Sequence, residues 1–162
     1  MGTEKSQRQI VRMFPDYADT VLWFGGPVAY RFSGLTPELV RGLKDWEQSY
    51  YDSLTPDLEW KSAELVRQFT EEGEHLARRV ADELGDGYEV ELKSYEQGVP
   101  SSRFRGTRAT LNPRAATAFD ELTASLRAEL RNSIRSATSH SGEAPEWFAY
   151  APLPRTSFKP GR

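Results

Sequence analysis

The sequence predicts an α+β protein, a small sheet packed by two to three helices with an extended C-terminal tail. Three observations carry this. Short alternating or β-branched runs occur before residue 33 and again at Tyr88–Tyr95. Two amphipathic helical patterns fill the stretch between them, and a third follows. With 162 residues, 38% hydrophobic and 28% charged, the chain has the length and apolar share for one cored domain, without the bias of a disordered or coiled-coil protein. We expect that domain over 1–137 and the tail over 138–162.

Taken in order, "QIVRMF" from Gln9 to Phe14 suits a short strand ended by Pro15. "TVLWF", Thr20 to Phe24, suits a second that stops at Gly25-Gly26-Pro27, and "VAYRF", Val28 to Phe32, is its hairpin partner or an extended segment. The first helix is capped by Thr36 and opened by Pro37, with Leu39, Leu43, Trp46 and Tyr50 on one face and an end near Ser53. The second opens after Asp57 and runs to Leu84, with Leu58, Leu65, Phe69, Leu76, Val80 and Leu84 on its apolar side and Gly85 as its stop. Gly73 in its middle costs about 1 kcal/mol relative to alanine, so close packing or a bend is expected there.

In "YEVEL", Tyr88, Val90 and Leu92 face one side and Glu89 and Glu91 the other, the mark of a half-buried strand. A loop over 96–111 follows. Asn112 and Pro113 then open a third helix whose Ala115, Phe119, Leu122, Leu126, Leu130 and Ile134 form an apolar stripe. From Ser136 the periodicity stops, and the tail carries Trp147, Phe148, Tyr150 and Phe158 among prolines and glycines.

The segment from Met13 to Leu92 resembles a group of small, mostly uncharacterised actinobacterial proteins. The likeness rests on a Trp-bearing strand with Trp23, a leucine-rich helix ending in Trp46 and Tyr50, and the Glu72-Gly73…Glu83-Leu84-Gly85-x-x-Tyr88-x-Val90 join from helix to strand. Those motifs are structural, and the resemblance implies no activity, cofactor or catalytic residue. In size and acidity it implies an immunity- or antitoxin-like protein.

Charge narrows the function classes further. Between Glu38 and Glu91 fifteen acids stand against six bases, while between Arg103 and Arg135 seven arginines stand against three acids, although the whole chain carries only −3. The basic part is expected to lie against or near the acidic middle. There is no cysteine, which excludes disulfides, thiolate nucleophiles and cysteine-type zinc sites. The opening "MGTEKSQRQ" lacks the apolar core of a signal peptide and no run is long enough for a membrane span, so a cytoplasmic protein without membrane association is expected.

Candidate chemistry is sparse. Glu72-x-x-His75 has the spacing of half a helical di-iron site, but such a site needs two motifs and further glutamates, and the other histidine is His140 in the tail. Glu71, Glu72 and His75 are therefore expected on a solvated helix face. No G-x-S-x-G elbow is present, and the glycine pairs lack the lysine of a phosphate cradle. Neither a cofactor, a metal nor a catalytic residue is predicted, and an enzyme of unrecognised type is the third choice. The first is a regulatory, protein-binding role through surface contacts. Its candidate residues are Trp147, Phe148 and Tyr150, aromatics too dispersed to build a core and costly to leave in water, with Arg103, Arg105 and Arg108 beside them. The alternative is nucleic-acid or nucleotide binding through the Arg103–Arg114 loop, where Phe104 interleaves with positive charge.

Overall fold

A computed structural model describes residues 9–16 and 18–139. Strand β1 spans Gln9–Met13 and β2 Leu22–Trp23, and a turn of 3-10 helix covers Tyr30–Phe32. Helix α1 spans Pro37–Asp52 and α2 Ala63–Leu84, followed by strands β3, Tyr88–Leu92, and β4, Ser102–Arg105, and by helix α3, Pro113–Ser139. The strands form one mixed sheet in the order β2-β1-β3-β4. β1 and β3 run parallel, with Val11 opposite Val90 and Met13 opposite Leu92, while β2 and β4 pair antiparallel at the two edges. A parallel pair needs a long crossover, and α1 and α2 supply it.

Alternation sorts the sheet into two faces. Val11, Met13, Leu22, Tyr88, Val90 and Leu92 are buried on the helical side, where they meet Leu39, Leu43 and Trp46 of α1 and Phe69, Leu76, Val80 and Leu84 of α2. Arg12, Glu89, Glu91, Arg103 and Arg105 belong to the other side and are exposed or half-exposed. The result is an α+β domain in which one face of the sheet is covered by helices and the other carries charge.

Local chemistry decides most element ends. Thr36 caps α1 by accepting from the Leu39 N–H, and Ser62 caps α2 by accepting from Leu65. Gly73 is buried because the Trp46 indole lies across it: a Cβ there would come within 2.6 Å of the ring. Gly85 stops α2 at φ 94°, with the Thr110 backbone 2.7 Å from where a Cβ would stand. The Glu83 carboxylate then ties three elements together. It accepts from the Thr36 N–H at 3.0 Å, the Thr36 hydroxyl at 2.7 Å and the Asn112 amide at 2.8 Å, and Asn112 also donates to the Gly34 carbonyl.

Several expectations need correction. Helix α2 starts at Ala63, not after Asp57, and Leu58 is 60% exposed in the preceding loop. Periodicity carried the pattern back to Leu58, but the Thr55 hydroxyl accepts from the Asp57 and Glu59 N–H groups and closes a turn instead. Val28–Phe32 forms no hairpin strand. The preceding Pro27 makes a single bridge to Trp23, Val28 donates its N–H to the Leu22 carbonyl at 2.9 Å, and Tyr30–Phe32 is the 3-10 turn. The stretch expected as a loop over 96–111 contains β4. The stripe of α3 is buried only at Ala115 and Phe119, whereas Leu130 and Ile134 are 60% and 57% exposed.

The chain divides into two compact units, 1–123 and 124–162. The first holds the sheet, α1, α2 and the opening turns of α3. The second, as far as it is described, is the rest of α3; of the tail expected over 138–162, 138 and 139 still belong to the helix, which reaches Ser139, and the residues from 140 onward lie outside the described residues. Among the described residues no helix is long and apolar enough to cross a membrane.

Candidate functional site

Arg103 and Arg105 lie on the exposed side of the edge strand β4, opposite Glu91 and Glu89 in the β3 register. The Arg103 guanidinium stands 3.5 Å from Glu89 and 3.6 Å from Glu91, and Glu91 also takes the Arg12 guanidinium at 2.9 Å. Acid and base are thus interleaved across the open sheet face, as the charge split along the sequence anticipated for Arg103. A phosphate arriving here would meet two carboxylates. Beside them lies a depression of about 270 Å³, lined by Arg12, Phe14, Glu91, Lys93 and Ser101. One wall is Phe14, stacked on Trp23 with centroids 5.0 Å apart. Phe104 faces the helical side, with the Arg78 guanidinium 5.0 Å above its ring. Arg108 is held by its backbone, its carbonyl accepting from the Asp86 N–H, and its exposed side chain borders a second depression with Asp82, Thr107 and Leu111.

A different surface forms where the end of α1, the loop 53–62, the start of α2 and the segment after β3 converge. The Trp46 indole stacks on Phe69 with centroids 4.3 Å apart and donates its N–H to the Phe69 carbonyl at 2.9 Å. Tyr50 packs outward from that stack, 5.6 Å from both Phe69 and Trp60 and 5.3 Å from Tyr95, with Tyr51 4.9 Å away. Tyr50, Tyr51, Trp60 and Tyr95 are all half-buried, so each ring has one side on the protein and one toward water. Burial pushes the Tyr95 phenol up strongly, and Tyr50, Asp16 and Tyr51 add to the rise.

The loop in front of these rings is tightly built. Leu54 and Trp60 form an antiparallel bridge, Thr55 donates its N–H to the Glu59 carbonyl at 2.7 Å, and Leu58 donates to the Thr55 carbonyl at 2.8 Å. At its tip Leu58 has φ 65°, the one non-glycine residue with positive φ among those described.

Glu71, Glu72 and His75 lie on the exposed side of α2, and Glu71 faces Arg67 at 3.5 Å. Among the described residues no group of three or more His, Asp or Glu side chains is placed to hold a metal ion. Trp147, Phe148, Tyr150 and His140 lie outside the described residues. Sequence reasoning missed the aromatic end. The signal was the density of rings at Trp46, Tyr50, Tyr51, Trp60 and Phe69, of which periodicity placed Trp46, Tyr50 and Phe69 on separate helix faces and left Tyr51 and Trp60 unassigned.

Residues 9–95 match a family model described as Serratia CdiI immunity protein-like. Among curated proteins no relative matches the chain. The matched segment is more than half of the chain. It runs from β1 through β3 to Tyr95, so it takes in the aromatic end and leaves out Arg103, Arg105, Arg108 and the tail.

Proposed function

Because this chain belongs to the Serratia CdiI immunity protein-like family, we propose that it is an immunity protein that binds a toxic protein partner and blocks it by covering its surface. The match over 9–95 is the observation that carries this. The described surface suits such a role: a two-layer domain presents half-buried aromatics, a loop tip with Leu58 at positive φ and interleaved charge, the materials of a protein interface. Blocking by contact requires affinity and no turnover, so the proposal assigns the chain no reaction of its own. Its place of action is taken to be the cytoplasm.

The test is protection together with complex formation. Cells producing the toxic protein should survive when this chain is co-produced, and the two purified proteins should elute as one complex from a sizing column. A chain that protects no cells and retains no protein partner ends the proposal.

A further inference from the structure

We propose that the partner docks on the Leu54–Trp60 loop and the tyrosines behind it, and that this partner is a cationic protein with an apolar socket for Leu58. This rests on the immunity reading above and names its surface.

Leu58 is the first ground. It is 60% exposed and its backbone holds φ 65°, a conformation that Gly or Asn adopts at little cost and Leu does not. The turn is closed by Thr55, through its hydroxyl and both backbone groups, so the fold does not need an apolar side chain at the tip. Strain kept at an exposed residue is most economically explained by what the residue meets.

The second ground is the platform behind the tip. Trp60, Tyr50, Tyr51 and Tyr95 are large, half-exposed and locked against one another and against Phe69, so they lose little freedom when a partner covers them. Trp and Tyr are also the side chains that dominate interface energies.

Charge gives the sign of the partner. Asp52, Asp57 and Glu59 are exposed on the loop and its base, and Asp16 is close enough to act on the Tyr95 phenol. Among the described residues, nearby Lys61 and Lys93 are both engaged: the Lys61 ammonium donates to the Asp52 carbonyl at 2.9 Å, and the Lys93 ammonium lies 5.2 Å over the Tyr95 ring. A basic protein is drawn to such a rim, and its Lys and Arg groups find tyrosine faces to sit on. The surface lies wholly inside the segment that carries the family match, unlike the arginines of β4.

The experiment uses the full chain, with the toxic protein against which the wild type protects cells as the probe. Leu58→Asn keeps a residue suited to the turn and removes the apolar tip. It should leave the melting temperature unchanged or higher and weaken binding roughly tenfold or more. The double reversal Asp57→Lys with Glu59→Lys should slow association about tenfold at low salt, with the difference shrinking as salt is added. Affinity within twofold of wild type for Leu58→Asn overturns the surface, as does faster association of the charge-reversed variant, the result an acidic partner would give. A wild-type chain that protects nothing removes the immunity reading and this inference with it, whereas a wild-type complex that tolerates both variants removes this inference alone.

Discussion

Glu83 is the residue on which the join of three elements depends. Its two carboxylate oxygens accept from three donors on α1's cap and α3's cap, while the Thr110 hydroxyl donates to its own carbonyl. Replacing Glu83 with Ala strands those donors in a half-buried site. The expected loss is about 2 kcal/mol, visible as a lower urea midpoint at constant slope. Gly73 tests packing in the opposite sense. Alanine gains about 1 kcal/mol of helix propensity at an exposed site, but here its methyl would stand 2.6 Å from the Trp46 ring and 3.2 Å from Leu92. Overpacking of that kind costs about 1–3 kcal/mol, so Gly73→Ala should be less stable than wild type in thermal melts; a rise would mean that the indole moves aside freely. The sequence alone marked Gly73 as a place of close approach or of a bend; which of the two, and that the Trp46 ring is what approaches, was decided only when α1 packed on α2.

At the scale of elements, caps outweigh the visible ion pairs. The Arg103 pairs are 3.5 and 3.6 Å long and the arginine is 53% exposed, a setting in which such contacts contribute about 0–1 kcal/mol. Ser62 makes the only side-chain cap of α2, and losing such a cap costs about 1 kcal/mol. Ser62→Ala should therefore lower the unfolding midpoint at least as much as Arg103→Ala, and the reverse order would promote the charged sheet face to a structural role. The same physics explains which elements were legible. Thr36-Pro37 is a local start signal and α1 begins where it says. The start of α2 was misread because the Leu58–Leu65 spacing continues a helical period through a turn that a single hydroxyl closes. Strand β4 was missed because "SRFR" alternates over only four residues and owes its existence to pairing with β3.

Across the domain, stability should fall in alkali. Burial pushes the Tyr30 phenol from 10.0 up to about 12, against the opposing hydrogen bond from the Val21 N–H, and burial raises Tyr95 as well. Above pH about 10 an unfolded chain loses these protons while the folded chain keeps them, so the unfolded state binds fewer protons and stability declines as pH rises toward 12. Denaturant midpoints followed from pH 8 to about 12 should show a plateau and then a fall. In Tyr30→Phe the fall should be shallower even though the plateau is lower, since the Val21 N–H loses its acceptor. An unchanged slope would mean that Tyr30 ionises in the fold as it does in water.

What the sequence determined by itself is what neighbours along the chain decide. That covers the α+β class, the caps at Thr36 and Asn112, the stop at Gly85, the two-faced β3 and the exposed side of α2 that carries Glu72 and His75, because capping, alternation and helical period act over a few residues. Tertiary structure decided what distant residues do together. It joined β1 to β3, gave Arg103 to Glu89 and Glu91, drew Trp46, Tyr50, Trp60, Phe69 and Tyr95 into one cluster, and left Leu58 strained at the tip before them. A side chain's spacing in sequence says which face it shares with its own element, while its partner on another element is set by how the layers pack.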